Sequence, residues 1–345
     1  MCLAQGSGVR VWGFALACAV ALGVGIALNP LGVTSTTGWG PWTAWPWLLA
    51  LLVFGMPHGA ADWKVHRADR RRRGQDAGLR SFVPYLLWML CASIALYFLP
   101  LVTIAAFFVL TAVHFGMADA THALGPKPNR CRVQPTDNTA PAWVWWAVAW
   151  TRGGLVLALP FAADPAGAWW PFALLSGTDV DALPISIDAL RAACIFGVAA
   201  LLWIGVVAIT SIPRSAWRQP RRWFVFETLV AMALLAFTPP LFAVGVYFLC
   251  VHAPKHTVRL AGLIGWLHNP NHAEPTKPFP KVRLTDFLSV HLASIALWPL
   301  SLLVIAAWAW CMPDGLTVGT IAAASIGFYI VTTLPHHRLG TRLPV

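Results

Sequence analysis

Acidic residues are scarce in this chain, which has 13 Asp and Glu against 24 Lys and Arg in 345 residues. Charged residues of both signs make up only 11% of the sequence, while hydrophobic residues make up 58%. The mean hydropathy is +0.66. A water-soluble globular protein needs more polar surface than this composition supplies. The chain is therefore predicted to be an integral membrane protein.

The sequence also lacks the motifs on which several enzyme classes depend. Its seven cysteines are scattered and contain no C-x-x-C, so neither a disulfide framework nor a thiolate metal site is indicated. It has no nucleophile elbow, phosphate-binding loop, internal repeat, coiled-coil heptad or separate soluble domain. We predict one transmembrane helical domain over residues 1–345, with the first 40 or so residues forming a peripheral first helix.

Apolar runs long enough to cross a bilayer recur along the chain. A transmembrane helix needs roughly 20 predominantly apolar residues. Runs of this kind lie at 10–28, 41–61, 82–99, 101–119, 141–162, 190–212, 222–238, 240–258, 286–311 and 317–336. The predicted fold is all-α, a polytopic membrane bundle of about 8–10 transmembrane helices. The first run is interpreted as an uncleaved helix rather than a signal peptide, and the Trp-rich stretch 168–172 as part of an interfacial aromatic belt.

Basic residues lie almost entirely on one side of this topology. Every Lys and Arg except Arg152 and Arg191 falls on the side of the chain termini, including the run 70–73. Because cytoplasmic loops are enriched in Lys and Arg, both termini are predicted to be cytoplasmic. The net charge of +11 then reflects topology and attraction to anionic lipid, and no nucleic-acid partner is predicted.

Histidines collect at one depth of the predicted bundle. They lie near the cytoplasmic ends of spans that run in the same direction, namely His58, His114, His252, His256 and His336. An intramembrane polar side chain is costly and usually marks a functional site. His252 and His256, spaced i and i+4, project from one face of a regular helix, although Pro254 between them is expected to kink it. A shared metal bound by His58, His114, His252 and His256 is predicted, with His336 as a further ligand or a residue that contacts one.

Three carboxylates are predicted near the same layer. Asp62 and Asp119 follow His58 and His114 by roughly one helical turn, and Glu227 lies deeper in its own span. Each is predicted to accept a histidine N–H and fix the orientation of the ring. Pairing with a neighbouring Lys or Arg is the alternative for Asp62 and Asp119. Arg152, in the middle of a span, is expected to pair with an acid or to line a polar cavity.

Imidazole ligands suit iron, zinc, copper and nickel, so the residues alone leave the metal open. The motifs Gly55-Met56-Pro57-His58-Gly59-Ala60-Ala61-Asp62, His114-Phe115-Gly116-Met117-Ala118-Asp119, His252 with His256, and Leu334-Pro335-His336 resemble the Brp/Blh family of bacteriorhodopsin-related β-carotene 15,15′-dioxygenases. The resemblance runs from about residue 41 to 338. This family usually has Ser where the chain has Ala253.

The resemblance implies a multi-pass enzyme of the bacterial inner membrane with an Fe(2+) cofactor. Such an enzyme splits the central double bond of β-carotene with O2 to give two all-trans-retinal molecules. By motif, the iron ligands are His58, His114, His252 and His256. The implied partners are β-carotene or a related carotenoid, O2, membrane lipid and a microbial rhodopsin that receives retinal.

Alternative functions use the same histidines differently. A carotenoid- or retinal-binding protein, or a rhodopsin accessory protein, would keep them as structural residues without catalysis. A His-box desaturase or hydroxylase acting on a lipid would need more histidines in suitable positions than this chain has. A haem-binding electron carrier would use His58 with His114. Metal content and retinal formation by histidine variants separate these functions.

Overall fold

The protein is helical throughout the part of the chain that the structure describes. The computed structural model describes residues 41–125, 140–217, 220–257, 284–295 and 297–342, with isolated positions at 20, 23 and 260. Within these residues there is no β-strand. The predicted all-α class is therefore confirmed. The predicted first span lies outside the described residues except for positions 20 and 23.

The α-helices are labelled α1 to α12 in chain order. They are α1 Pro41–Ala50, α2 Met56–Arg72, α3 Val83–Phe98, α4 Pro100–Leu124, α5 Ala142–Ala163, α6 Pro165–Ser176, α7 Ile187–Ser211, α8 Arg221–Phe237, α9 Pro240–Tyr247, α10 Leu284–Ile295, α11 Trp298–Trp310 and α12 Val318–Arg342. Short 3-10 turns cover Leu79–Phe82, Val180–Ala182 and Arg214–Ala216, and π-helical turns cover Leu51–Gly55 and Phe248–His252.

Several helices are long and apolar enough to cross a membrane. Among the described residues five segments meet this test, at Leu79–Phe98, Pro100–Leu124, Ala142–Ala163, Ile187–Ser211 and Val318–Leu339. Thr43–Gly55 and Trp298–Trp310 are shorter apolar helices. The protein is therefore a multi-pass membrane protein, as predicted. The cytoplasmic placement of both termini stays a prediction.

The chain divides into two compact units. The first unit contains Leu48–Phe107 and the described residues from Ala253 onward, and the second contains Phe108–His252 and the described residues up to Trp47. In the first unit α2 packs against α10 and α12, and α12 also packs against α3 and α11. In the second unit α5 is central and packs against α6, α7, α8 and α9.

Small residues bring the backbones of α4 and α5 into direct contact within the second unit. A Cβ atom built on Gly116 would overlap the backbone carbonyl of Ala149, and one built on Gly153 would overlap the carbonyl of Ala112. Each helix thus carries two small residues separated by three others, Ala112 and Gly116 in α4 and Ala149 and Gly153 in α5. This pattern allows close helix crossing in membranes. It fixes the position of α4, which carries His114.

Two helical segments widen just before prolines in the histidine motifs. The π-helical turn Leu51–Gly55 ends two residues before Pro57, and the turn Phe248–His252 ends two residues before Pro254. Proline lacks an N–H group, and its ring collides with the carbonyl four residues earlier in a regular helix. A π turn pairs residues five apart instead, as in the bond from the Met56 N–H to the Leu51 carbonyl. The widened turn accommodates the proline, and residues 253–257 continue as helix.

The structure corrects two details of the predicted spans. The predicted 286–311 span is two helices, α10 and α11, because Pro299 in the first turn of α11 provides no N–H to continue α10. Helix α2 runs on to Arg72, well past the predicted end at residue 61. Residues 168–172 belong to α6, whose Trp169 is only 6% exposed, and their place in an interfacial aromatic belt stays a prediction.

Candidate metal centre

The predicted ligands are carried by four helical segments. His58 lies near the start of α2, with its side chain outside the described part of the structure. His114 lies in α4 and is half-buried. His252 ends a π turn and His256 lies in the helical turn that follows, with 1% and 4% of their surfaces exposed. His336 lies in α12 directly after Pro335.

The second unit brings His114 and His252 together. Their ring centroids are 5.2 Å apart, with an angle of 63° between the ring planes. Phe115 lies 4.1 Å and Phe248 5.6 Å from the His252 ring, centroid to centroid. Two imidazoles from motifs far apart in sequence therefore lie side by side, and the His252 ring packs against Phe115 and Phe248.

The first unit brings His256 and His336 together. Their ring centroids are 5.3 Å apart, and one ligand nitrogen of each lies within 4.8 Å of the other. Two nitrogen ligands of one metal lie at most about 4 Å apart, since each bond is about 2.0–2.1 Å long. The separation of this pair is close to that limit.

Asp62 joins the second of these pairs to a tyrosine. Both carboxylate oxygens lie 2.9 Å from His336 Nδ1, and the Tyr85 hydroxyl donates to Asp62 Oδ2 at 2.7 Å. Asp62 is buried, with 2% of its surface exposed. Asp62 therefore contacts a histidine, which is His336, and its role beside a metal stays a prediction.

Asp119 lies in a buried ionic network of the second unit. Arg152 donates through Nε to Asp119 Oδ2 at 2.8 Å, and its terminal nitrogens donate to Glu227 Oε1 at 2.8 Å and to Thr228 Oγ1 at 2.9 Å. Tyr247 donates to Asp119 Oδ2 at 2.9 Å. The prediction that Arg152 pairs with an acid is confirmed, with two acids as its partners. Asp119 and Glu227, predicted to orient histidines, both bind this guanidinium.

The two aspartates share one arrangement. Each follows a motif histidine by about one turn, and each accepts a tyrosine hydroxyl together with a nitrogen donor from another helix. Tyr85 and Tyr247 were not among the residues singled out from the sequence. The available signal was their rarity, since the chain contains only four tyrosines, and a hydroxyl in an apolar span needs a partner.

The histidine pair in each unit is suited to binding a metal through nitrogen. Both pairs consist of imidazoles, and neutral imidazole is a ligand for iron, zinc, copper and nickel. A carboxylate beside one of the rings is the arrangement that commonly orients metal-binding histidines. The residues present are therefore suited to a metal cofactor.

Comparison with known proteins decides the family. A family model described as beta-carotene 15,15′-dioxygenase matches residues 49–343. The chain belongs to this family. Membership confirms the predicted enzyme class, a carotenoid-cleaving dioxygenase, and accounts for all four histidine motifs, which lie inside the matched range.

One protein is similar to this chain over most of its length. "Probable beta-carotene 15,15′-dioxygenase Blh" of Halobacterium salinarum is 28% identical over an alignment of 308 residues, and the alignment covers 84% of this chain and 81% of that protein. No solved structure matches the chain. The resemblance stated from the motifs is thus confirmed over nearly its whole predicted extent.

Proposed function

We propose that this family member is an iron(II)-dependent enzyme of the cell membrane that cleaves the central 15,15′ double bond of β-carotene with O2, giving two all-trans-retinal molecules. The proposed iron ligands are His58, His114, His252 and His256. Family membership supports the reaction. The observation that supports the metal best is the meeting of His114 and His252, two motif histidines whose ring centroids are 5.2 Å apart.

The reaction needs chemistry that amino-acid side chains do not supply. Iron(II), when bound, provides the redox chemistry that lets a hydrocarbon react with O2. One carbon–carbon double bond breaks, each of its carbons gains one oxygen atom, and both atoms of O2 are used without a further reductant. The residues of the chain have to bind the substrate, hold the central bond in place and keep competing reactants out.

The surroundings of His252 suit an apolar substrate. Phe115 and Phe248 pack against the imidazole, and Phe115 also packs against Tyr247, with ring centroids 5.9 Å apart. A hydrocarbon is recognised through dispersion contacts and shape rather than hydrogen bonds. A multi-pass protein can meet such a substrate inside the bilayer, where β-carotene dissolves, and can release retinal to a microbial rhodopsin there.

The test is retinal formation in a bacterial host that accumulates β-carotene. We expect the parent protein to produce retinal, measured by liquid chromatography, and His252→Ala to produce less than about one hundredth as much because a proposed ligand is lost. His122→Ala is the matched control, since His122 is exposed at the far end of the helix that carries His114.

The results of this experiment distinguish β-carotene cleavage from the alternative functions. Retinal from the parent and the control, but not from His252→Ala, supports central cleavage that depends on the histidines. A parent that binds iron but forms no retinal would keep the metal centre and reject the substrate. Carotenoid that co-purifies unchanged with every variant would favour a carotenoid-binding protein instead.

A further inference from the structure

Three side chains from three helices of the first unit form a short chain of hydrogen bonds. Tyr85 of α3 donates to Asp62 of α2, and Asp62 accepts from His336 of α12. The distances are 2.7 Å and 2.9 Å. The side chain of Asp62 is only 3% exposed and that of His336 only 14%. The interaction is therefore shielded from bulk water and is stronger than the same contact at a surface.

The hydrogen bond to Asp62 determines which nitrogen of His336 is available to bind a metal. An ionised carboxylate can only accept hydrogen bonds, so Nδ1 carries the proton that lies between the two residues. In the neutral imidazole, Nε2 then holds the lone pair. The Tyr85 hydroxyl donates to Oδ2 of the same carboxylate and so helps to hold it in place. The same arrangement fixes the tautomer and the ring direction of histidines that bind metals.

The neighbour of His336 is a histidine already proposed as a ligand. The His256 and His336 rings are 5.3 Å apart and inclined at 63°, and one ligand nitrogen of each lies within 4.8 Å of the other. His256 is 4% exposed. Two largely shielded imidazoles with ligand nitrogens this close, steeply inclined to one another, are better suited to sharing a cation than to stacking.

We infer that His336 is a further ligand of the metal, bound through Nε2, and that Asp62 and Tyr85 are the residues that position it. This inference rests on the proposed metal centre and raises its protein ligands from four histidines to five. Asp62 keeps Nδ1 protonated, which aims Nε2 and makes it more basic. Tyr85 holds the carboxylate in place.

Iron binding by the purified full-length protein tests the inference without reference to activity. Metal-free protein in detergent is titrated anaerobically with iron(II), and bound iron is measured by mass spectrometry. The nitric oxide adduct is then examined by electron paramagnetic resonance, which responds to the ligand set. The variants are His336→Ala, Asp62→Asn and Tyr85→Phe. His256→Ala serves as the reference for loss of a proposed ligand, and His337→Ala, next along the same helix, is the matched control.

We expect Asp62→Asn to weaken iron binding by about 10–100-fold, the usual effect of losing a carboxylate behind a metal-bound histidine. His336→Ala should weaken binding at least as much and change the resonance signal, and added imidazole should restore part of the binding. Tyr85→Phe should have the smallest effect of the three, because Asp62 remains. His337→Ala should bind iron like the parent. Thermal unfolding of the metal-free proteins shows that each variant is folded.

Two results would overturn the inference. His336→Ala with parental iron affinity and an unchanged resonance signal would show that His336 is not a ligand. Equal losses in His336→Ala and His337→Ala would show a general structural effect of changing α12. Both differ from failure of the metal centre itself, in which the parent binds no iron or His256→Ala binds it as tightly as the parent.

Discussion

Replacing Arg152 with methionine is expected to destabilise the folded protein by about 3–5 kcal/mol, the usual cost of removing one partner from a buried ion pair. Methionine has a similar length but no charge, so Asp119 and Glu227 would lose the guanidinium that binds both of them. Arg152 is 4% exposed, and water cannot readily replace it. We expect a lower unfolding temperature and a lower yield of monodisperse protein in detergent.

Two companion variants identify the cause. Arg152→Lys keeps the charge, but a single ammonium group cannot bind Asp119, Glu227 and Thr228 in the forked geometry of a guanidinium, so an intermediate loss is expected. Arg152→Met combined with Asp119→Asn and Glu227→Gln removes the unpaired charges and should recover much of the stability. Parental unfolding of Arg152→Met alone would mean that the network contributes nothing to the fold.

The network also acts on the proposed metal ligands. Asp119 lies in α4 five residues after His114, and Tyr247 lies five residues before His252. The hydrogen bond between Asp119 and Tyr247 therefore ties the two histidine-bearing segments together. We expect Arg152→Met protein that does fold to bind less iron than the parent, measured as metal per protein.

Gly116→Val is expected to separate α4 from α5 and to abolish iron binding. Even a Cβ at this position overlaps the backbone carbonyl of Ala149, and a backbone atom cannot rotate away as the end of a side chain can. Removing a helical glycine usually gains at most about 1 kcal/mol, while overpacking a well-packed interface costs about 1–3 kcal/mol or more. The cost of overpacking should exceed the gain from removing the glycine, and His114 should move away from His252.

Gly197→Ala is the matched control for this interface. It also adds a Cβ to a glycine within a long apolar helix, but at Gly197 that atom meets nothing within 4 Å. Its unfolding temperature and iron content should equal those of the parent, whereas Gly153→Ala should resemble Gly116→Val in a milder form. Normal iron content in Gly116→Val would contradict the close crossing of α4 and α5.

The sequence predicts the membrane spans well because bilayer insertion depends mainly on local hydropathy. Helix ends are predicted less well. Hydropathy detects where the bilayer ends, but α2 continues past it to Arg72 as a charged helix. The break between α10 and α11 depends on one proline, Pro299, inside a run that is apolar throughout. The burial of α6 depends on packing partners that its own sequence does not identify.

The histidines that meet within each unit could be singled out from the sequence, whereas the particular residues that pair with them could not. A buried histidine in a membrane span is costly and therefore conspicuous. The contact between Asp62 and His336 joins residues 274 positions apart, and that between Asp119 and Tyr247 joins residues 128 apart. Spacing within one helix predicts neither contact. The same limit applies to the bonds from Arg152 to Asp119 and Glu227, which join residues 33 and 75 positions apart.

The two π-helical turns set how far the residues that follow them are rotated about the helix axis. Each residue in an α-helix turns the chain by about 100°, so the extra residue in Leu51–Gly55 or Phe248–His252 sets the direction in which every later side chain points. Losing one residue from either turn would restore an ordinary α-helix and rotate His58 or His256 by that angle. A change of one residue in length is tolerable in the connecting loops, but at these two turns it would redirect a proposed ligand.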